Sequence, residues 1–234
     1  MNYFLFHGSD HIIEKPNFNI GDLRNDYGKG FYCTEDINLA KEWACKDNKN
    51  GFVNKYLLDG KGLRILNLLD SKYNILNWMA LLLKNRFFTL QDEISLDAKN
   101  YIIDNFSIDI SKYDIVISYR ADDSYFSFAQ AFISNSIPLR SLNKALYSGK
   151  LGAQIVLVSE AAFSKIKFIN FEPISKEESY PKFISRDIKA RETYRKEISK
   201  DISYKNEIFV LDIIREGMKN DDERIQRIIS KWCN

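Results

Sequence analysis

The chain has 234 residues, 45% of them hydrophobic, which is enough for one sizeable core with a smaller appendage. Its 34 basic and 32 acidic side chains nearly cancel, and a net charge of +2 excludes the global field of a general nucleic-acid or membrane-surface binder. Cys33, Cys45 and Cys233 lack zinc-ligand spacing and have only His7 and His11 to join them, so reduced thiols and no metal site are expected.

Tyr3 to His7 reads as a short buried strand, followed by a polar loop from Pro16 to Tyr27 and a second strand from Gly30 to Thr34. Asp36 or Asn38 caps a helix whose apolar residues Ile37, Leu39, Ala40, Trp43 and Ala44 fit a 3.6-residue period, with Gly51 closing it. Phe52–Leu58 and Leu63–Leu68 read as strands joined by the turn Asp59-Gly60-Lys61-Gly62, a hairpin signal. Helical spacing returns over Ile75–Phe87, Leu96–Phe106 and Phe126–Ser134. Between the last two, Tyr113–Tyr119 forms a buried strand ending at Arg120-Ala121-Asp122-Asp123. Leu139–Ser148 is a helix closed by Gly149, Gln154–Ser159 a strand, and Ile166–Phe171 its expected partner. Beyond Pro173 the composition turns to charge, with a linker over Glu177–Lys182 and helices over Ile184–Lys200, Glu207–Lys219 and Asp221–Trp232. The expectation is an α+β fold, with residues 1–173 as one domain and 174–234 as a charged helical extension packed on it. No apolar run approaches a membrane span, and the start Met1-Asn2-Tyr3-Phe4-Leu5-Phe6-His7 lacks a signal-peptide pattern. The expected compartment is the cytoplasm, although leaderless secretion would leave no mark.

A phosphate-binding loop, a three-glycine dinucleotide fingerprint and a His-Glu-x-x-His zinc motif are all missing from the sequence. What remains is His7-Gly8-Ser9 at the end of the first strand and Gly28-Lys29-Gly30-Phe31-Tyr32 entering the second. A strand-end imidazole, a bare backbone and a hydroxyl within one turn suit a polar ligand; the plain alternative is a satisfied histidine at a loop mouth. Asp122 and Asp123 are either a carboxylate pair for chemistry or a helix cap on a solvated turn. Lys84-Asn85-Arg86 complements a helix end or contacts a phosphate. Arg186 to Lys196 is a solvated basic helix or an acceptor-binding surface for protein, RNA or DNA.

Taken in order, His7-Gly8-Ser9, Gly28-Lys29-Gly30-Phe31-Tyr32-Cys33-Thr34 and Trp43, eleven residues after Tyr32, resemble the NAD-binding core of the ADP-ribosyltransferase superfamily. The likeness is closest to its diphtheria-toxin and poly(ADP-ribose) polymerase branch. Over most of its length the chain also resembles an uncharacterised bacterial family assigned to that superfamily. The phrases that carry this are Tyr27 to Thr34, Lys84-Asn85-Arg86, Asp114-Ile115-Val116-Ile117-Ser118 with Ala121-Asp122-Asp123, and Gln154 opening a strand.

The resemblance implies a split-sheet α+β core with inserted helices and NAD as co-substrate. By it, His7 holds the adenine-side ribose, and Tyr32 and Trp43 sandwich the nicotinamide ring, with Gly30 bringing the Tyr32 strand under it. Gly8 and Ser9 satisfy the carboxamide, Gln154 holds the nicotinamide ribose, and no metal is implied. It further implies transfer of ADP-ribose to a macromolecular acceptor, with nicotinamide expelled from an oxocarbenium-like centre, in a bacterial toxin, effector or defence protein that could have a cognate antitoxin. The superfamily usually carries a glutamate where this chain has Gln154, and glutamine keeps the hydrogen bond but loses charge and basicity. A binding module without transfer activity and an NAD-hydrolysing toxin are the alternatives, and Asp122 or Asp123 is a substitute acid.

Overall fold

The computed structural model describes residues 2–90, 92–120, 123–148, 152–199 and 207–230. Strand β1 (Asn2–Ser9) leads through a long loop to β2 (Phe31–Cys33) and helix α1 (Ile37–Ala44). Strands β3 (Gly51–Asp59) and β4 (Ile65–Asn67) precede α2 (Ile75–Asn85) and α3 (Glu93–Phe106). A 3-10 turn at Ile110–Lys112 enters β5 (Ile115–Tyr119), followed by α4 (Asp123–Ile133) and α5 (Leu139–Ser148). The chain continues with β6 (Ala153–Leu157), α6 (Glu160–Ser164), β7 (Ile166–Ile174), α7 (Lys176–Ile198), α8 (Val210–Arg215) and α9 (Glu223–Ser230). The mixed α+β class read from the sequence is what the structure has. Among the described residues no helix is long and apolar enough to cross a membrane.

The chain divides into two compact units, each built from three separate segments, where a single boundary near residue 173 was expected. The first takes Met1–Leu68, Asp109–Arg120 and Gly152–Asp187; the second takes Leu69–Ile108, Ala121–Leu151 and Ile188–Asn234.

Among the described residues the strands all lie in the first unit, in two sheets of order β1-β3-β7 and β2-β6-β5-β4. Side chains alternate between the faces of a strand, so the register decides which residues meet. Leu5, Tyr56, Leu58 and Ile166 of the first sheet join Phe31, Cys33, Ile115, Ile155 and Leu157 of the second in one core. Burying each such aliphatic or aromatic side chain stabilises the fold by roughly 1.5–3 kcal/mol. On its other face the first sheet carries α1: Ala40, Ala44 and Cys45 pack with Val53 and Ile174. An antiparallel rung joins the sheets, Phe6 N–H to the Thr34 carbonyl (2.8 Å) and Thr34 N–H to the Phe6 carbonyl (3.0 Å).

Several local readings are corrected. No hairpin forms at Asp59–Gly62: β3 has β1 and β7 on its two edges, so β4 leaves it and pairs in parallel with β5. Likewise β7 does not pair with β6, whose edges are taken by β2 and β5. Gly51 opens β3 and does not close α1, which ends at Ala44. Glu177–Lys182 is helical, inside α7, with Pro181 in the helix. Burial of Ser179 and the packing of Tyr180 on the α1 side of the first sheet hold this turn against proline's local cost. Of Glu207–Lys219 only Val210–Arg215 is helical. Asp122, Gly149, Lys200, Trp232 and Cys233 lie outside the described residues.

In the second unit, α2 starts from a capping box in which Asn74 accepts from Leu76 N–H and its own N–H donates to Asn77 Oδ1, both at 2.8 Å. Arg86, just past the end of α2, lays its guanidinium over the Phe126 ring at 5.1 Å, which accounts for it structurally.

Candidate functional site

His7 is half-buried near the end of β1, with its imidazole stacked on Phe31 (centroids 4.6 Å apart, 30° between planes). Its Nδ1 lies 2.7 Å from the Tyr32 carbonyl oxygen. A carbonyl only accepts, so Nδ1 carries the proton. Desolvation by burial lowers the His7 pKa below its ordinary value of 6.5; the Tyr32 contact opposes this, while the charges of His11 and Lys46 add to it. The ring is therefore neutral at pH 7, and Nε2 keeps its lone pair as an acceptor.

Gly8 and Ser9 each have a structural role within the first unit. A Cβ on Gly8 would stand 2.0 Å from the Ala40 carbonyl oxygen and 2.6 Å from Ala44 N, so the bare Cα is what lets α1 lie on β1. The Ser9 hydroxyl donates to the His11 carbonyl and accepts from Asn54 Nδ2 at 3.1 Å. Asn54, fully buried, also donates to the His11 carbonyl (3.2 Å) and accepts from Ile13 N–H (2.9 Å), pinning the start of the loop after β1. Nothing in the local sequence marks Asn54; a lone asparagine in an otherwise strand-forming run is its only signal.

The glycines before β2 have a local cause. Gly28 adopts φ +71°, and the Tyr32 hydroxyl donates to its carbonyl (2.6 Å) while accepting from Tyr27 N–H (3.1 Å). A Cβ on Gly30 would meet Val156 Cγ1 at 2.6 Å and the Leu157 carbonyl oxygen at 2.9 Å, so glycine lets this turn lie on β6. Tyr27, buried, donates from its hydroxyl to the Tyr119 carbonyl at 2.8 Å and ties the same turn to the end of β5.

Register brings Gln154 into the same neighbourhood. Tyr32 stands opposite Val156 and Ser118 opposite Gln154. By alternation Tyr32, Gln154 and Ser118 share the face of the second sheet that points away from the Phe31 core. His7, against Phe31, is on the other side. Gln154 is 4% exposed and Ser118 fully buried, and neither Gln154 Nε2 nor Ser118 Oγ finds a hydrogen-bond partner within the described protein.

Trp43 does not stand open. The guanidinium carbon of Arg120, the residue after β5, lies 3.9 Å from the Trp43 ring centroid, a close cation–π contact by a side chain only 6% exposed. One face of the tryptophan expected to receive a cationic ring already carries a cation, a role for Arg120 that the sequence did not disclose.

A concavity of about 470 Å³ is lined by Thr34, Glu35, Asp36, Ile37 and Ala153. Asp36 caps α1 by accepting from Asn38 N–H at 2.8 Å. The acidic rim favours hydroxyl-bearing or cationic groups over phosphates. Cys33 and Cys45 are reduced and buried, and burial pushes both thiols up, which removes them as nucleophiles. Among the described residues no group of three His, Cys, Asp or Glu side chains could hold a metal. Asp123 is the first residue of α4, and Asp122 lies outside the described residues.

A family model described as "Protein of unknown function (DUF3990)" matches residues 3–168, which include His7, Tyr32, Trp43, Ser118 and Gln154. No curated protein and no solved structure matches the chain.

Proposed function

We propose that this chain, which belongs to the DUF3990 family, is an NAD-dependent mono-ADP-ribosyltransferase with a split-sheet core that modifies a macromolecular acceptor, as a bacterial toxin, effector or defence protein. What carries the reading is the adjacency of residues far apart in sequence. His7 bonds the Tyr32 backbone carbonyl at 2.7 Å from the Phe31 side, and Tyr32 and Gln154 lie on neighbouring strands with their side chains together on the opposite face. These are three residues that the resemblance assigns to NAD.

NAD would supply a glycosidic bond whose cleavage releases neutral nicotinamide. His7 Nε2 accepts from a ribose hydroxyl, its tautomer fixed by the Tyr32 carbonyl. Gln154, whose amide nitrogen has no partner among the described residues, binds the nicotinamide-side ribose by hydrogen bonding and orients it. Being neutral, Gln154 takes no proton from an acceptor at pH 7, so it serves best an acceptor that is already nucleophilic. Arg120 covers one face of Trp43, so stacking there uses the other face, while the bond from the Tyr32 hydroxyl to the Gly28 carbonyl fixes the Tyr32 ring without covering either of its faces.

The neutral Gln154 also favours a second reading, a module that binds NAD or ADP-ribose without transferring it. Incubating the full chain with NAD labelled in the adenylate, together with total cell lysate, separates the readings. Label that follows protein, RNA or DNA supports transfer, and tracing it to one species would name the acceptor. Stoichiometric free ADP-ribose without labelled macromolecule points to hydrolysis. NAD binding with no nicotinamide released points to the module, and no binding at all ends the NAD reading.

A further inference from the structure

We propose that Ser118 is a ligand-binding residue, forming with Gln154 a two-residue polar clamp for a single sugar hydroxyl. Ser118 closes the run Ile115-Val116-Ile117-Ser118, where an aliphatic side chain would continue the pattern. It stands directly across from Gln154 in antiparallel register, so the two side chains project from the same face at neighbouring positions. Both are more than nine-tenths buried, yet Oγ and Nε2 bond neither each other nor any other described protein atom. A buried hydroxyl or amide without a partner is destabilising, and proteins leave few of them. Two such atoms on facing residues mark a place where an outside oxygen completes the set.

The donor inventory narrows that oxygen. Nε2 only donates, whereas the serine hydroxyl both donates and accepts. An alcohol satisfies both, accepting from Nε2–H while donating to Oγ. A phosphate or carbonyl oxygen could only accept, from Nε2–H and from the serine hydroxyl alike, and would leave the acceptor capacity of Oγ unused. The clamp therefore suits one hydroxyl of a ribose diol. This rests on the reading of the chain as an NAD-binding protein and adds to it a residue that the resemblance does not assign.

The test measures calorimetric affinity of the wild-type chain and of Ser118→Ala for NAD and for NAD analogues lacking the 2′- or the 3′-hydroxyl on the nicotinamide ribose. NAD affinity should fall about tenfold in Ser118→Ala, the equivalent of one lost neutral hydrogen bond. For one of the two analogues, wild type and variant should bind equally. The thermal midpoint should stay level or rise, because the substitution deletes an unsatisfied polar group. Should Ser118→Ala fail to fold, Ser118→Cys keeps the shape with a much weaker donor, and the same loss is expected. A folded variant with unchanged NAD affinity, or one weakened equally toward NAD and both analogues, overturns the clamp while leaving the NAD reading standing. Wild-type chain that binds no NAD overturns both.

Discussion

At the scale of single residues, His7 links protonation to folding. Its pKa in the folded chain lies below the 6.5 of an unburied histidine, chiefly because burial disfavours the charged ring. The unfolded chain therefore takes up the proton first. Stability from His7 is complete above pH 6.5 and is lost as pH falls toward the folded value. His7→Asn places an amide nitrogen near the position of Nδ1, preserving a donor to the Tyr32 carbonyl without the titration. Urea unfolding of both proteins between pH 7.5 and 5 should show the wild type losing stability faster; parallel curves would mean that the ring is not held neutral. Residue types at this scale were partly legible in the sequence. The glycines at 28 and 30 make the turn into β2, whereas the packing of α1 against Gly8 left no mark in the local sequence. Ser118 was missed for a related reason: a serine ending an Ile-Val-Ile run carries no meaning until its cross-strand neighbour is known. A polar residue at a buried position of an aliphatic strand is the one hint it offered.

At the scale of elements, Asp114 joins three strands of the second sheet at one end. Its carboxylate accepts from Arg64 N–H at 2.8 Å before β4 and from the Ser159 hydroxyl at 2.7 Å after β6, and it pairs with the Arg64 guanidinium, all from the leading end of β5. The Arg64 side-chain bond is foremost in pulling the Asp114 pKa down from 3.8 to about 2. The stabilisation is thus present above pH 3.8 and lost as pH falls through about 2. Asp114→Asn should cost roughly 1.5–3 kcal/mol at pH 7, the contribution of a hydrogen bond to a charged group. Its acid-unfolding limb should also be shallower than that of the wild type, and urea denaturation at pH 7 and near pH 3 checks both. Pairings such as this were the least legible part of the fold. Periodicity located nearly every strand and helix, because burial of one face imposes it. Partners depend on which edges are already occupied, so the turn signal at Asp59–Gly62 named a hairpin that β1 and β7 had pre-empted.

At the scale of the whole molecule, the chain visits each compact unit in three segments, so no single cut separates them. A chain ending at residue 173 would lack Ile174, Tyr180 and Arg186 of the first unit; Arg186 forms an ion pair with Glu42 of α1. It would also lack α8 and α9. Such a truncation should show no cooperative thermal transition where the full chain does, and a sharp transition in the shortened chain would restore a domain boundary near 173. The rung between Phe6 and Thr34 has a different consequence. Because two backbone hydrogen bonds fix the ends of β1 and β2, the spacing of His7 and Tyr32 is insulated from what happens in between. Residues Glu14 to Arg24, largely exposed, can lengthen or change at an entropic cost of only about 0.6 kcal/mol for each doubling of the loop. Descendants of this sequence are thus free to rewrite that stretch, and whatever it touches, generation after generation, while inheriting the same pair of strand ends unaltered.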